Sequence, residues 1–208
     1  MHVILVNGSP HREGCTATAL AEVARTLESQ GITTETLWLG VKPLRPCVAC
    51  GQCFATKRCV CDDIVNEFLA KAEQADGFVF GSPVHYAAAS GQITTFLDRV
   101  FFGKKKPFQG KPAAAVVSCR RGGAASAFDQ LNKYFTINCM PVVSSQYWNM
   151  IHGSTAEDAR KDAEGMQTMR TLGTNMAWLL RCIELGKEHG CPFPQQEKVV
   201  FTNFMDGK

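Results

Sequence analysis

Several features that mark common functional classes are missing from this chain. No apolar run approaches the roughly 20 residues of a membrane-spanning helix. The amino terminus carries no basic segment ahead of a long hydrophobic stretch, since Met1-His2 leads into a short apolar run and then a polar loop. These absences imply a cytoplasmic protein without a membrane partner. Charge of either sign is scarce in excess: 22 Lys and Arg against 19 Asp and Glu leave +3 over 208 residues. That balance gives no footing for nucleic-acid binding. The cationic run at residues 104–106 ends in Pro107 and reads as a solvated loop. There is no G-x-G-x-x-G, which argues against a dinucleotide pyrophosphate turn, and no G-x-x-x-x-G-K-[ST], which argues against an ATP-type loop. No serine sits in a G-x-S-x-G elbow, so a hydrolase of that kind is disfavoured. Internal repeats and low-complexity tracts are lacking as well.

What is present is a regular alternation of strand and helix. Val3-Ile4-Leu5-Val6 reads as a strand buried on both faces. The turn Asn7-Gly8-Ser9-Pro10-His11-Arg12-Glu13-Gly14-Cys15 follows, and a helix with its apolar face at Leu20, Val23, Ala24 and Leu27 begins at Thr16. Unpaired N–H groups of a first helical turn, aided by the helix dipole, favour an anion. Ser9 and Thr16 add hydroxyl donors and Arg12 a charge. A short polar turn of this kind suits the single terminal phosphate of a mononucleotide. Residues 32–39 form the second expected strand. Asp62-Asp63 caps a helix through Ile64, Phe68, Leu69 and Ala72, and Phe78-Val79-Phe80 is the third strand. A second loop at 81–91 precedes a helix through Ile93, Phe96, Leu97, Val100 and Phe101. Residues 113–118 form the fourth strand, which ends in the loop Cys119-Arg120-Arg121-Gly122-Gly123. The fifth strand is expected at 140–143, continuing toward Asn149. A long helix follows Ser154, with a stripe at Met166, Met169, Gly173, Met176, Ala177 and Leu180 that reads as core. The organisation is thus a body at 1–186 and a carboxy-terminal extension at 187–208.

Five such units imply a parallel sheet covered on both faces, most simply in the order 2-1-3-4-5, with a ligand crevice at the carboxyl ends of strands 1 and 3. The glycine-bearing loops at 7–16, 81–91 and 118–123 meet at that rim.

Ten cysteines in such a chain point to metal, redox chemistry or buried thiols. Cys47, Cys50 and Cys53 form a C-x2-C-x2-C triplet, with Cys59 and Cys61 shortly after, all in the loop at 40–61. Three thiolates at this spacing can wrap three corners of a cubic iron–sulfur cluster, with a fourth from nearby chain. Zinc is the second choice, since its sites more often use two separated knuckles, and free thiols or a redox pair are the bland alternative. Cys139 and Cys182 are expected to pack as small hydrophobes.

In Gly8-Ser9-Pro10 with Gly14-Cys15-Thr16, Ser82-Pro83-Val84 through Ser90-Gly91-Gln92, Phe96-Leu97-Asp98-Arg99 and the cysteine run, residues 1–150 resemble the NADPH-dependent FMN reductase family, in its iron–sulfur flavoprotein branch. The resemblance implies a flavodoxin-like α/β fold. It implies that Ser9, His11, Cys15 and Thr16 hold the FMN phosphate. Pro83, Val84, His85 and Tyr86 would line the isoalloxazine ring, and Ser118 through Gly123, with Gly122, would close its pyrimidine side. By the same resemblance Cys47, Cys50, Cys53 and Cys59 would hold one 4Fe-4S cluster, with Cys61 a substitute fourth ligand. His11 stands where the family commonly has arginine, and Cys15 where it commonly has asparagine. His85 stands where an aromatic hydroxyl is usual.

Flavin chemistry asks the protein mainly for position and field, and the sequence offers no convincing acid–base pair. Arg120 and Arg121 could place positive charge near flavin N1 or meet the 2′-phosphate of NADPH; solvated loop arginines are the plain alternative. The leading expectation is an FMN oxidoreductase that passes electrons from NAD(P)H or a redox protein to a small acceptor such as a quinone, a flavin or an oxygen species. A pure electron carrier and a thiol-switch binding protein are its rivals. The family's assembly implies a homodimer or homotetramer.

Overall fold

The computed structural model describes residues 1–103 and 107–202; the cationic run at 104–106 and the end of the extension at 203–208 lie outside the described residues. The elements in chain order are β1 (His2–Asn7), α1 (Cys15–Ser29), β2 (Thr33–Trp38), α2 (Gln52–Thr56), α3 (Ile64–Ala72), β3 (Gly77–His85), β4 (Ala88–Ala89), α4 (Gly91–Gly103), β5 (Ala113–Cys119), α5 (Ala124–Thr136), β6 (Met150–His152), α6 (Ala156–Lys161) and α7 (Ala163–Glu188). The parallel strands run β2-β1-β3-β5-β6, which is the expected 2-1-3-4-5 order once the short β4, antiparallel to β3, is set aside.

The continuous apolar runs of β1, β3 and β5 follow from burial on both faces. Ile4 and Val6 point into a phenylalanine-rich layer against α3, α4 and α5, while Val3 and Leu5 point into a second layer against α1 and α7. Phe68 centres the first layer, with its ring 5.1 Å from that of Phe96 and 5.9 Å from that of Phe78. Phe68→Ala is therefore expected to cost about 3–5 kcal/mol, read from urea denaturation. A loss below 1 kcal/mol, roughly that of a surface change, would show that this layer is not the core.

Outside the cysteine loop, three elements differ from the sequence expectation. The region read as the 81–91 loop is a hairpin: β3 runs on through His85 and pairs Val84 with Ala89 and His85 with Ala88. Its tip, Tyr86-Ala87, is left-handed at both residues (φ 50° and 59°), the conformation of a type I′ turn, usually marked by Asn-Gly. The fifth strand does not span 140–149. Val142 makes one isolated bridge to Ala113, and pairing resumes only at Met150–His152. Between them the Ser145 hydroxyl bonds the Tyr147 carbonyl (2.6 Å) and Asn149 Oδ1 (2.7 Å), so a side chain takes the place of the ladder and loops the backbone out. The helix after Ser154 is two helices. Asp162 breaks it by capping α7, accepting from the Gly165 N–H at 2.9 Å, while Thr155 and Asp158 form a capping box on α6. No helix among the described residues is long and apolar enough to cross a membrane.

Candidate functional site

The turn after β1 is organised by a residue the motif reading passed over. Asn7 is buried, and its Oδ1 accepts the Ser9 N–H at 3.0 Å while its Nδ2 reaches the His11 carbonyl at 3.5 Å and the Arg12 carbonyl at 3.4 Å. Ser9 is buried too. Its Oγ accepts the His11 N–H at 3.1 Å, and its carbonyl accepts the Trp38 indole N–H at 2.8 Å. His11 and Arg12 are exposed, and the Arg12 guanidinium lies 5.7 Å from the Trp38 ring centre. Gly14 is the N-cap of α1 and supplies no side-chain cap, so the first-turn N–H groups of α1 are left for another acceptor. The Cys15 thiol donates to the Thr155 carbonyl at 3.1 Å.

Two further segments meet this turn at the same rim. Gly8 donates to the Gly81 carbonyl at 2.9 Å, and the Ser90 hydroxyl donates to the Gly8 carbonyl at 2.8 Å. Ser82 Oγ in turn accepts the Ser90 N–H at 2.9 Å. These bonds tie the β1 turn to both feet of the hairpin. Thr16 and Ser118 join their hydroxyls at 2.8 Å in a buried bond between the start of α1 and the end of β5. Pro83 and Val84 are half-buried, His85 and Tyr86 exposed. Gly123 has φ 85°, and a Cβ there would sit 2.6 Å from Ala87 Cα, so only glycine lets the β5–α5 loop lie against the hairpin tip. Arg120, Arg121 and Gly122 are exposed beside it. The Cys119 thiol is pushed above its ordinary pKa, chiefly by burial, whereas Cys182 and Cys191 are exposed. Brief alkylation of the native protein is accordingly expected to label Cys182 and Cys191 before Cys119, as peptide mass spectrometry would record; the reverse order would contradict this placement. Cys139, expected in the core with Cys182, is also exposed; it sits at a left-handed turn (φ 55°) after α5.

The cysteine loop folds as a second unit against α3 and α4. Cys47, Cys50, Cys53, Cys59 and Cys61 all line one small cavity, floored by Arg99 and Phe102. The short helix α2, not foreseen in this loop, carries Cys53. The Cys53 thiol is raised in pKa by burial and then by the nearby Cys50, Cys47 and Cys59. No three His, Cys, Asp or Glu side chains among the described residues converge as a single ion would require. A five-thiol wall is nonetheless a soft donor set, the kind that takes thiophilic metal or an iron–sulfur cluster, and a cluster places its ligands around several irons rather than one. The donor set therefore fits such a cluster in its chemistry.

The loop is held by side chains that sequence reasoning left without a role. Asn66 takes both backbone groups of Cys59, N–H to Oδ1 at 2.9 Å and Nδ2 to the carbonyl at 3.0 Å. Arg99, with 1% of its side chain exposed, pairs bidentately with Asp63 (2.7 and 2.9 Å) and donates to the Cys61 carbonyl at 2.9 Å. Burial alone would lower the pKa of this guanidinium; its hydrogen bonds to Asp63 and Cys59 outweigh that and raise it. An arginine between Leu97 and Val100 on an otherwise apolar helix face was the available signal.

The rim formed by β1, β3 and β5 is where open α/β sheets take ligands. A family model described as NADPH-dependent FMN reductase matches residues 1–155. The chain is 32% identical over 194 residues to an iron-sulfur flavoprotein of Methanocaldococcus jannaschii, covering 88% of this chain and all of that one. It is 26% identical over 192 residues to the iron-sulfur flavoprotein of Methanosarcina thermophila, covering 90% of this chain and all of the relative. Among solved structures, a flavodoxin from the domain Archaea superposes with TM-score 0.60 at 16% identity over 87% of this chain and 99% of that one. The apo form of an NADH:FMN oxidoreductase superposes with TM-score 0.63 at 16% identity over 87% and 89% of the two chains. The chain belongs to the NADPH-dependent FMN reductase family, in its iron–sulfur flavoprotein branch, and its fold is flavodoxin-like.

Proposed function

We propose that the chain is an FMN oxidoreductase. In this reading it takes electrons from NAD(P)H or a redox protein and delivers them to a small acceptor such as a quinone, a flavin or an oxygen species. The observation that carries the reading is the bonding of the Gly8–Ser9 turn to the feet of the 82–90 hairpin beside the Gly123 loop, all at one rim of the sheet. Ser9, His11, Arg12 and the backbone of Cys15 and Thr16 would hold the phosphate. Pro83, Val84, His85 and Tyr86 would line the ring, and Ser118, Gly122 and Gly123 would close its polar edge. Bound FMN would supply hydride chemistry at N5, so the residues around it need only position and polarise. Arg120 and Arg121 are exposed at the mouth, where a guanidinium can meet an anionic donor.

Cys47, Cys50, Cys53 and Cys59 would hold a 4Fe-4S cluster, which supplies one-electron transfer when bound. The soft donor set and the side-chain clamp on Cys59 support this ligand choice. Such a protein belongs in the reducing cytoplasm, working as a homodimer or homotetramer with a small acceptor or redox partner. Anaerobic steady-state oxidation of NADPH with a quinone tests the enzyme reading. Turnover that requires FMN is the expected result; bound FMN with no turnover from either nicotinamide donor would assign the chain to electron carriage instead.

A further inference from the structure

The Arg99 guanidinium uses two of its edges on two different side chains. Its Nη1–Nη2 edge meets the Asp63 carboxylate. Its Nε–Nη2 edge meets the Cys59 sulfur, at 3.4 Å from Nε and 3.3 Å from Nη2. Nη1 also reaches the Arg45 carbonyl at 3.3 Å, and Nη2 shares its two hydrogens with a third acceptor, the Cys61 carbonyl at 2.9 Å. A residue needed only to hold the loop would find carbonyls enough; here two N–H groups of a guanidinium with 1% of its side chain exposed converge on one sulfur. The geometry points to Arg99, balanced by Asp63, as the positioning residue that sets the reduction potential of the cysteine-bound cluster through Cys59. This rests on the cluster reading above and adds a role for residues outside the ligand set.

The physical reason is charge. Reduction adds one electron to the cluster, drawn from a chemical reductant in a titration or from reduced flavin in the working protein. No bond to Cys59 forms or breaks. The cysteine sulfurs take part of the added negative charge, and donors or positive charge at a ligand sulfur favour the reduced state. The carboxylate of Asp63, on the adjoining edge of the same guanidinium, partly cancels that field. The two residues should therefore act on the potential in opposite directions. A purely structural pair would fail in the same direction. Asparagine can also keep the cap that Asp63 provides, now a 3.1 Å bond from the Val65 N–H.

The experiment is a reductive titration of the anaerobically reconstituted protein, followed by the paramagnetic resonance signal of the reduced cluster. Iron and sulfide per chain and far-ultraviolet dichroism are measured alongside. In Arg99→Gln the oxidised-to-reduced ratio at the wild-type midpoint is expected to rise at least tenfold, a lowering of about 59 mV for one electron. Arg99→Lys should lower the midpoint less, and Asp63→Asn should raise it. Unchanged midpoints with full iron content, or shifts of one sign in Arg99→Gln and Asp63→Asn, would overturn the inference and leave the cluster reading standing. Should Arg99→Gln fail to retain iron, Asp63→Asn decides: an upward shift supports the inference, and none or a downward one overturns it. A correctly folded wild-type protein that takes up no iron and sulfide would overturn the cluster reading itself, and the inference with it.

Discussion

Gly8→Ala is expected to weaken FMN binding at least tenfold, about 1.4 kcal/mol, and to destabilise the fold by about 1–3 kcal/mol. Gly8 lies between two surfaces that cannot yield. An added Cβ would stand 2.6 Å from Ile93 Cβ, in the branch of a fully buried side chain, and 3.0 Å from the Gly81 carbonyl oxygen of β3. Neither neighbour is the free end of a flexible chain, so the turn or α4 must move. Either movement breaks the Ser90–Gly8 bond and shifts Ser9, whose position hangs on Asn7 and Trp38. Gly91→Ala is the control, because it sits at the start of the same helix with open space around it. Flavin fluorescence titration and urea denaturation of both variants measure the effect. Equal affinity in Gly8→Ala and Gly91→Ala would show that the β1 turn does not carry the cofactor.

Cys59→Ala is expected to cut bound iron several-fold from the four per chain of a 4Fe-4S cluster, while Cys61→Ala leaves most of it in place. Both cysteines line the cavity, yet the structure treats them differently. Asn66 fixes Cys59 at its N–H and its carbonyl, and the Cys59 sulfur faces the Arg99 guanidinium. Cys61 gives the same two side chains only its carbonyl. The first arrangement aims a thiolate; the second closes a loop. Iron and labile sulfide analysis of anaerobically prepared variants separates them. Full iron in Cys59→Ala with depletion in Cys61→Ala would exchange the two roles. Loss in neither would place the fourth ligand elsewhere. FMN affinity should be unaffected in both, since the cysteine loop and the β1 turn are held by separate side-chain networks.

The sheet was legible because strands buried on both faces must be apolar at successive positions, as in Val3 to Val6 and Ala113 to Val117. The loops were legible because turns at strand ends carry glycine, serine and proline. The hairpin tip escaped because Tyr86 and Ala87 adopt left-handed geometry without the Asn or Gly that announces it. β6 escaped because three pairing residues leave little pattern, and because Ser145 diverts the chain just where alternation would continue. At the rim, single motif residues were visible, but the side chains that hold them were not. Asn7 read only as the first residue of the turn and Trp38 as part of a strand; the bond of Trp38 to Ser9 joins positions distant in sequence, and that of Asn7 sets the turn from within. The same holds for Arg99 and Cys59, which meet only because α4 passes beneath the cysteine loop.

The central claim is that the β1 turn, the hairpin and the Gly123 loop together enclose one phosphorylated flavin. Its most direct test is a fluorescence titration of the flavin-free chain with FMN, run beside riboflavin, which lacks the phosphate. Saturation at one FMN per chain at micromolar concentration or below, with riboflavin bound at least tenfold more weakly, is the result this arrangement predicts. A folded chain that leaves FMN fluorescence unchanged throughout that range would contradict it.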